Sequence, residues 1–304
     1  MIEIKDLSLS LGEKKVLDDI NLKVEKGSVF GFLGSNGAGK STLMRCMCGV
    51  YEPGSGSVCI DGENVYDNAE AKARIFFVND ETVQYTSFTL RQLKDYYKSY
   101  YKNFSEETFE RLLAKVDLPI DKKLSTYSKG MKRQSIVIIA LACRTEYLML
   151  DEAFDGLDPA MRMAVKNMIT DEIFDNGTSV IVSSHNIAEI SGICDRVMLI
   201  HGGKIVLCDE VDSITSGFCK LQLVFDGSAP DDDSIKAAVP GLIKTMRTGS
   251  VVQMIVHAGE EQAVKSAQAL SPRMTEAVSL TLEEVFIYEM EARGYAGFIT
   301  ENES

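Results

Sequence analysis

The sequence predicts an α/β protein: a parallel-sheet core followed by a second, smaller α+β domain. Three observations carry this. Strand-like apolar runs alternate with helical ones from the N-terminus, as in a sheet wound with helices. One such run, "GSVFGFLG" (27–34), passes straight into a glycine loop and a helix. A seam near "VDSITSG" (211–217) precedes a stretch with its own order of strands and helices.

Each element has a local reason. The 27–34 run is apolar enough for a buried strand, and "KSTLMRCMCGV" (40–50) reads as the helix after its loop. A block at about 85–120 is richer in helical pattern, with Tyr96, Tyr97, Tyr100, Tyr101 and Phe104 at helical spacing. One apolar face of an amphipathic helix is the simpler reading of those rings than a ligand-stacking box. "TYSKGMKRQ" (126–134) starts a helix with polar, glycine-containing residues just before the apolar run Ile136–Cys143. "YLMLDE" (147–152) and "SVIVSS" (179–184) are buried-strand candidates with polar ends, where open α/β sheets bind ligands. Beyond the seam the pattern gives strand 218–225, helix 234–239, strands 243–247 and 250–256, helix 260–270 and strand 273–279. A last helix, "TLEEVFIYEMEA" (281–292), follows, and the order suits a small split βαβ, ferredoxin-like sandwich.

Bulk properties exclude several classes. The chain has 304 residues, enough for more than one domain, and a net charge of −13. That balance argues against a broad nucleic-acid-binding surface and against electrostatic docking on an anionic leaflet. The longest apolar run falls far short of the ~20 residues a membrane-spanning helix needs. No secretory pattern is visible at the start. Seven cysteines without a CxxC pair make no disulfide framework, and Cys46 and Cys48 read as helix packing before a metal or redox pair. The expectation is a cytoplasmic protein.

"GSNGAGKS" (34–41) fits G-x-x-x-x-G-K-[ST] between a strand and a helix. In such a loop Gly34, Ser35, Asn36, Gly37, Ala38 and Gly39 curl backbone N–H groups around phosphates, beside the positive end of the helix dipole. Lys40 would reach the β- and γ-phosphates of ATP, Ser41 would coordinate Mg²⁺, and Thr42 would add a phosphate contact. "YLMLDE" supplies an acidic counterpart: Asp151 to hold Mg²⁺ through water and Glu152 to polarise the attacking water. Such a pair is common after strands and gains weight only beside the glycine loop. His185, ending "VIVSSH", is either a structural histidine or a neutral sensor of the γ-phosphate.

These pieces together resemble the ATPase subunits of ABC transporters. The resemblance covers about residues 1–212 and rests on an ordered set: the loop 34–42, "YSKGMKRQ" (127–134), "YLMLDE", "DGLD" (155–158) and "SSH" (183–185). It implies that Ser128, with the N–H groups of Lys129 and Gly130, faces the γ-phosphate held by another subunit. The stretch is then half of a site, completed in a head-to-tail pair that sandwiches two ATP molecules. Ser-Lys-Gly in place of Ser-Gly-Gly, with "TLEEVFIY" (281–288), looks most like the exporter branch, whose membrane subunit is usually a separate chain.

Two departures from the family pattern matter. An aromatic usually stacks on adenine about where this chain has Leu11, which can pack on a base without π stacking. The family's glutamine near the metal falls on Asp80, with Gln84 the nearby alternative and a plain loop the third. Ala153, where proline is frequent, is a mild change. The resemblance therefore implies an ABC ATPase domain over 1–212, with a helical subdomain at about 85–145 and an accessory domain over 213–304. Its partners would be an integral membrane transporter subunit and a second ATPase subunit, without nucleic acid, on the inner face of the cell membrane. A soluble relative acting on ribosomes or DNA is the alternative. Such proteins usually carry two cassettes or a long coiled coil. A kinase would leave Ser128 and His185 without a role.

Overall fold

The structure, a computed structural model, describes residues 1–79 and 85–292. It separates into two compact units, Met1–Cys208 and Asp209–Ser304.

The first unit is built on a six-stranded sheet. Its order is Lys204–Glu210, Arg196–His201, Val29–Leu33, Ser179–Ser184, Tyr147–Asp151 and Ile75–Val78. Val29–Leu33 pairs in parallel with both its neighbours, and Tyr147–Asp151 does the same. Every residue of Val29–Leu33, Tyr147–Asp151 and Ser179–Ser184 is buried. A parallel strand covered on both faces has no wet side, so the stretches 29–33, 147–150 and 180–182 are apolar without alternation. The register sets Leu33 beside Ser184 and Asp151 beside Ser183. Three loops therefore leave the sheet at one edge, carrying the residues after Leu33, Asp151 and Ser184.

A second, antiparallel sheet joins Lys14–Val24, Ile2–Leu11, Ser55–Ile60 and Glu63–Asn64. This sheet adds to the parallel core that the sequence predicts. Ile2, Ile4, Leu7 and Leu9 point inward and share one core with Phe30, Phe32, Leu43, Met44 and Met149. Burying each such side chain is worth roughly 1.5–3 kcal/mol, which fixes this sheet over the helix Lys40–Met47 and one face of the central sheet. Cys46 and Cys48 lie in that core, with the Cys48 thiol 3.3 Å from Met149 Sδ. Burial pushes the Cys46 thiol up to about 12, so both cysteines serve as packing groups.

Helix starts follow their caps. Thr89 and Gln92 form a reciprocal capping box ahead of Leu90–Tyr100. Ser105, Ser128 and Asp158 cap Glu106–Leu113, Lys129–Ala142 and Pro159–Asn176. The aromatic residues of this block form one continuous ring cluster. Tyr97 and Tyr101 pack on Phe76, each ring 5.2 Å away, and half-buried Tyr96 lies 5.5 Å from Tyr97 and 5.0 Å from the exposed Tyr100. Phe104 turns to Phe109, 6.3 Å away.

The second unit is an antiparallel sheet ordered Leu242–Thr248, Val251–Val256, Cys219–Val224, Met274–Val278. With helices Asp232–Ala238 and Glu260–Gln268 between strands, this is the ferredoxin-like βαββαβ order. Leu221, Leu223, Ile235, Val252, Met254, Ala263 and Ala267 form its core. Thr281 and Glu284 exchange side-chain and backbone hydrogen bonds at the start of Leu282–Ala292, a second capping box.

Candidate active site

The glycine loop closes tightly between Leu33 and the helix Lys40–Met47. Gly34 sits at φ 154°, and a Cβ there would lie 2.4 Å from the Ile200 carbonyl oxygen, so no larger residue fits. The helix has no side-chain cap and no acidic residue in its first turn. Its leading N–H groups thus suit an anion.

Lys40 is 4% exposed and donates from Nζ to the carbonyls of Gly34 (2.7 Å) and Ser35 (3.2 Å). Its ammonium is 3.5 Å from Glu152 Oε1. Burial lowers its pKa below the usual lysine value, against the opposing pull of Glu152 and Asp151. The Ser41 hydroxyl donates to Asp151 Oδ1 at 3.0 Å. This hydroxyl and carboxylate are hard oxygen donors of the type Mg²⁺ takes. Thr42 is half-buried beside them.

Glu152 leaves its strand at φ 48°, in the left-handed region, which costs about 1–3 kcal/mol for such a residue. The turn swings its carboxylate towards His185, whose Nδ1 lies 3.7 Å from Oε1. Arg133, from the helix Lys129–Ala142, approaches the Glu152 carbonyl at 3.5 Å and donates to the Asn79 carbonyl at 3.2 Å. One edge of the sheet therefore gathers Lys40, Ser41, Asp151, Glu152 and His185: an anion cradle, a hard-cation pair and a carboxylate–imidazole pair.

Ser128 to Gly130 stand elsewhere. Ser128 is exposed, and its hydroxyl oxygen accepts the Met131 N–H at 3.2 Å. Lys129 pairs with Asp155 at 3.0 Å and holds that carboxyl below its ordinary range. At Gly130 a Cβ would meet Met161 Sδ at 2.7 Å, so its bareness also serves the packing of two helices. Among the described residues no hydrogen bond or ion pair joins 128–130 to the loop 34–42. Leu11 is 45% exposed at the end of its strand. Asp80 and Gln84 lie outside the described residues.

Sequence reasoning missed three polar supports of this edge. Ser183, next to Asp151 in register, and Arg133 are buried polar residues. Glu189 is buried too, accepts from the Ser184 hydroxyl at 2.7 Å and meets Arg162 at 3.3 Å. The signals were present: a pair of serines directly after the apolar run Val180–Val182, and an acid four residues after His185.

Comparison with known proteins points to one family. Residues 17–155 match the family described as ABC transporter. The ABC transporter ATP-binding protein YtrB of Bacillus subtilis is 27% identical over 287 residues, covering 94% of this chain and 97% of that one. The methionine import ATP-binding protein MetN of Clostridium acetobutylicum is 32% identical over 225 residues, 70% of each chain. A solved ATP-binding subunit of an ABC transporter superposes with a TM-score of 0.64 at 28% identity, covering 70% of this chain and 91% of that one.

Proposed function

The chain belongs to the ATP-binding subunits of ABC transporters and is an ATPase, and from that premise we propose that it drives an exporter by ATP-dependent closure of a head-to-tail pair. The observation that carries the proposal is the convergence of Lys40, Glu152 and His185, at 3.5 and 3.7 Å, on one edge of a buried sheet. Lys40 and the loop Gly34–Gly39 hold the phosphates, with Thr42 beside them. Ser41 and Asp151 would hold Mg²⁺, which supplies charge neutralisation on the phosphate oxygens when bound. Glu152 orients and polarises the attacking water, and His185 faces the γ-phosphate from the other side. Leu11 packs on the base. Asp80 is retained as a candidate near the metal on the family pattern alone.

Ser128, Lys129 and Gly130 supply the second half of a site on a partner subunit, a role suited to a helix start at which Ser128 and Lys129 are exposed. Export rests on Ser-Lys-Gly and on the stretch 281–288, because a relative named for import is as similar as others. Residues 85–145 form the helical part that passes movement to a membrane subunit. Tyr85, 40% exposed, stacks on Phe88 at 5.2 Å and meets Tyr96 at 5.0 Å, while Tyr100 is 67% exposed. This aromatic patch supports contact with an apolar partner segment. Residues 213–304 form the accessory domain. No described helix is long and apolar enough to cross a membrane.

Glu152→Gln tests the hydrolytic reading. Nucleotide binding should survive while turnover falls by about 100-fold or more, the range expected for losing a general base. ATP should then trap a dimer on size exclusion. Near-normal hydrolysis by the variant would assign the work to another residue.

A further inference from the structure

We propose that Ser183 is a positioning residue of the hydrolytic site, its one hydroxyl setting both carboxylates that follow the strand Tyr147–Asp151. The inference deepens the function proposed above and rests on Glu152 and Asp151 acting there. Ser183 is fully buried, and its Oγ donates to Asp151 Oδ1 at 2.6 Å. The same oxygen accepts the Glu152 N–H at 3.0 Å. A hydroxyl has one proton to give and lone pairs to receive, so the two bonds are compatible and satisfy the side chain.

The placement follows from the parallel register, which sets Ser183 beside Asp151. Glu152 begins the departure from the strand at φ 48°, so its N–H cannot continue the ladder and finds Ser183 instead. Without that anchor the strained backbone is free to relax, and the Glu152 carboxylate swings from Lys40 and His185. Asp151 Oδ1 also takes the Ser41 hydroxyl at 3.0 Å, so Ser183 helps to aim the oxygen that Ser41 shares. The neighbouring Ser184 turns the other way, to Glu189 and the Asn186 carbonyl, and cannot substitute.

The test compares full-length Ser183→Ala, Ser183→Thr and Glu152→Gln, each confirmed folded by thermal melting. Hydrogen exchange at the Glu152 amide is read without nucleotide. ATP affinity is read with and without Mg²⁺, and hydrolysis in a single turnover. In Ser183→Ala the Glu152 amide should exchange about 10-fold faster, and hydrolysis should fall about 10–100-fold, the range for losing an outer-shell support. Affinity for ATP without Mg²⁺ should stay at the wild-type value. Ser183→Thr keeps the hydroxyl and should restore both slow exchange and most of the hydrolysis. Wild-type exchange and hydrolysis in Ser183→Ala overturns the proposal. So does a threonine variant as impaired as the alanine one. Normal hydrolysis by Glu152→Gln would instead sink the underlying role of Glu152, leaving the exchange result to judge Ser183 alone.

Discussion

At Leu11 the chain presents a 45% exposed leucine just before the turn that joins its first two strands. A branched aliphatic side chain offers area to a base but no ring to stack on it. Leu11→Tyr should therefore tighten ATP by about 0.5–1.5 kcal/mol if an offset stack forms, measured by titration calorimetry. Unchanged affinity would move the base-packing position elsewhere in the chain. Glu152 shows the opposite limit of single-residue reading. Its type and place after an apolar strand are visible in sequence. Its left-handed backbone, and the Lys40 and His185 contacts that follow from it, are not.

Between elements, the helix Pro159–Asn176 is fastened to the turn after His185. Arg162 meets Glu189, and Lys166 donates to the carbonyls of Ala188 (3.4 Å) and Ser191 (3.0 Å). Arg162 also reaches the Leu157 carbonyl at 3.4 Å, so the "DGLD" turn and the His185 turn share one fastening. Glu189→Ala leaves the Ser184 hydroxyl and the Arg162 charge without this buried partner. It should cost about 3 kcal/mol, by analogy with broken buried pairs. Glu189→Gln still accepts from Ser184 and should cost less. Urea denaturation of both variants decides this, and a loss under about 0.5 kcal/mol in the alanine variant would place the fastening among ordinary surface pairs.

At the scale of the whole molecule the question is whether one chain can complete its own site. Ser128 caps its helix, so a variant that keeps an oxygen there is the cleaner probe; Ser128→Arg would lose the Met131 bond and about 1 kcal/mol with it. Ser128→Asp keeps an N-cap oxygen while placing a negative charge where the half-site reading puts a phosphate. That variant and Lys40→Ala should each be inactive alone, with the Asp variant still binding ATP. In mixed dimers one composite site carries both defects and the other carries neither. Mixing should therefore restore a measurable fraction of hydrolysis, one working site sufficing. No recovery at any ratio, with mixed dimers demonstrated, would argue for a site completed within one chain.

The sequence by itself determined the parts: the glycine loop between a strand and a helix, the Asp151–Glu152 end of a buried strand, and the succession of strands and helices in the second unit. These are written in local chemistry, in glycines at tight turns and apolar runs whose length and period fix the element. Only the tertiary structure decided which parts meet. Parallel register brought Ser183 beside Asp151 across 32 residues of chain, and the antiparallel strands 2–24 closed over the core through side chains that look ordinary in sequence. The seating of Tyr97 and Tyr101 was likewise settled by what lay underneath, namely Phe76. Burial and hydrogen-bond partners depend on distant chain segments, and a local pattern carries no record of which segment will arrive.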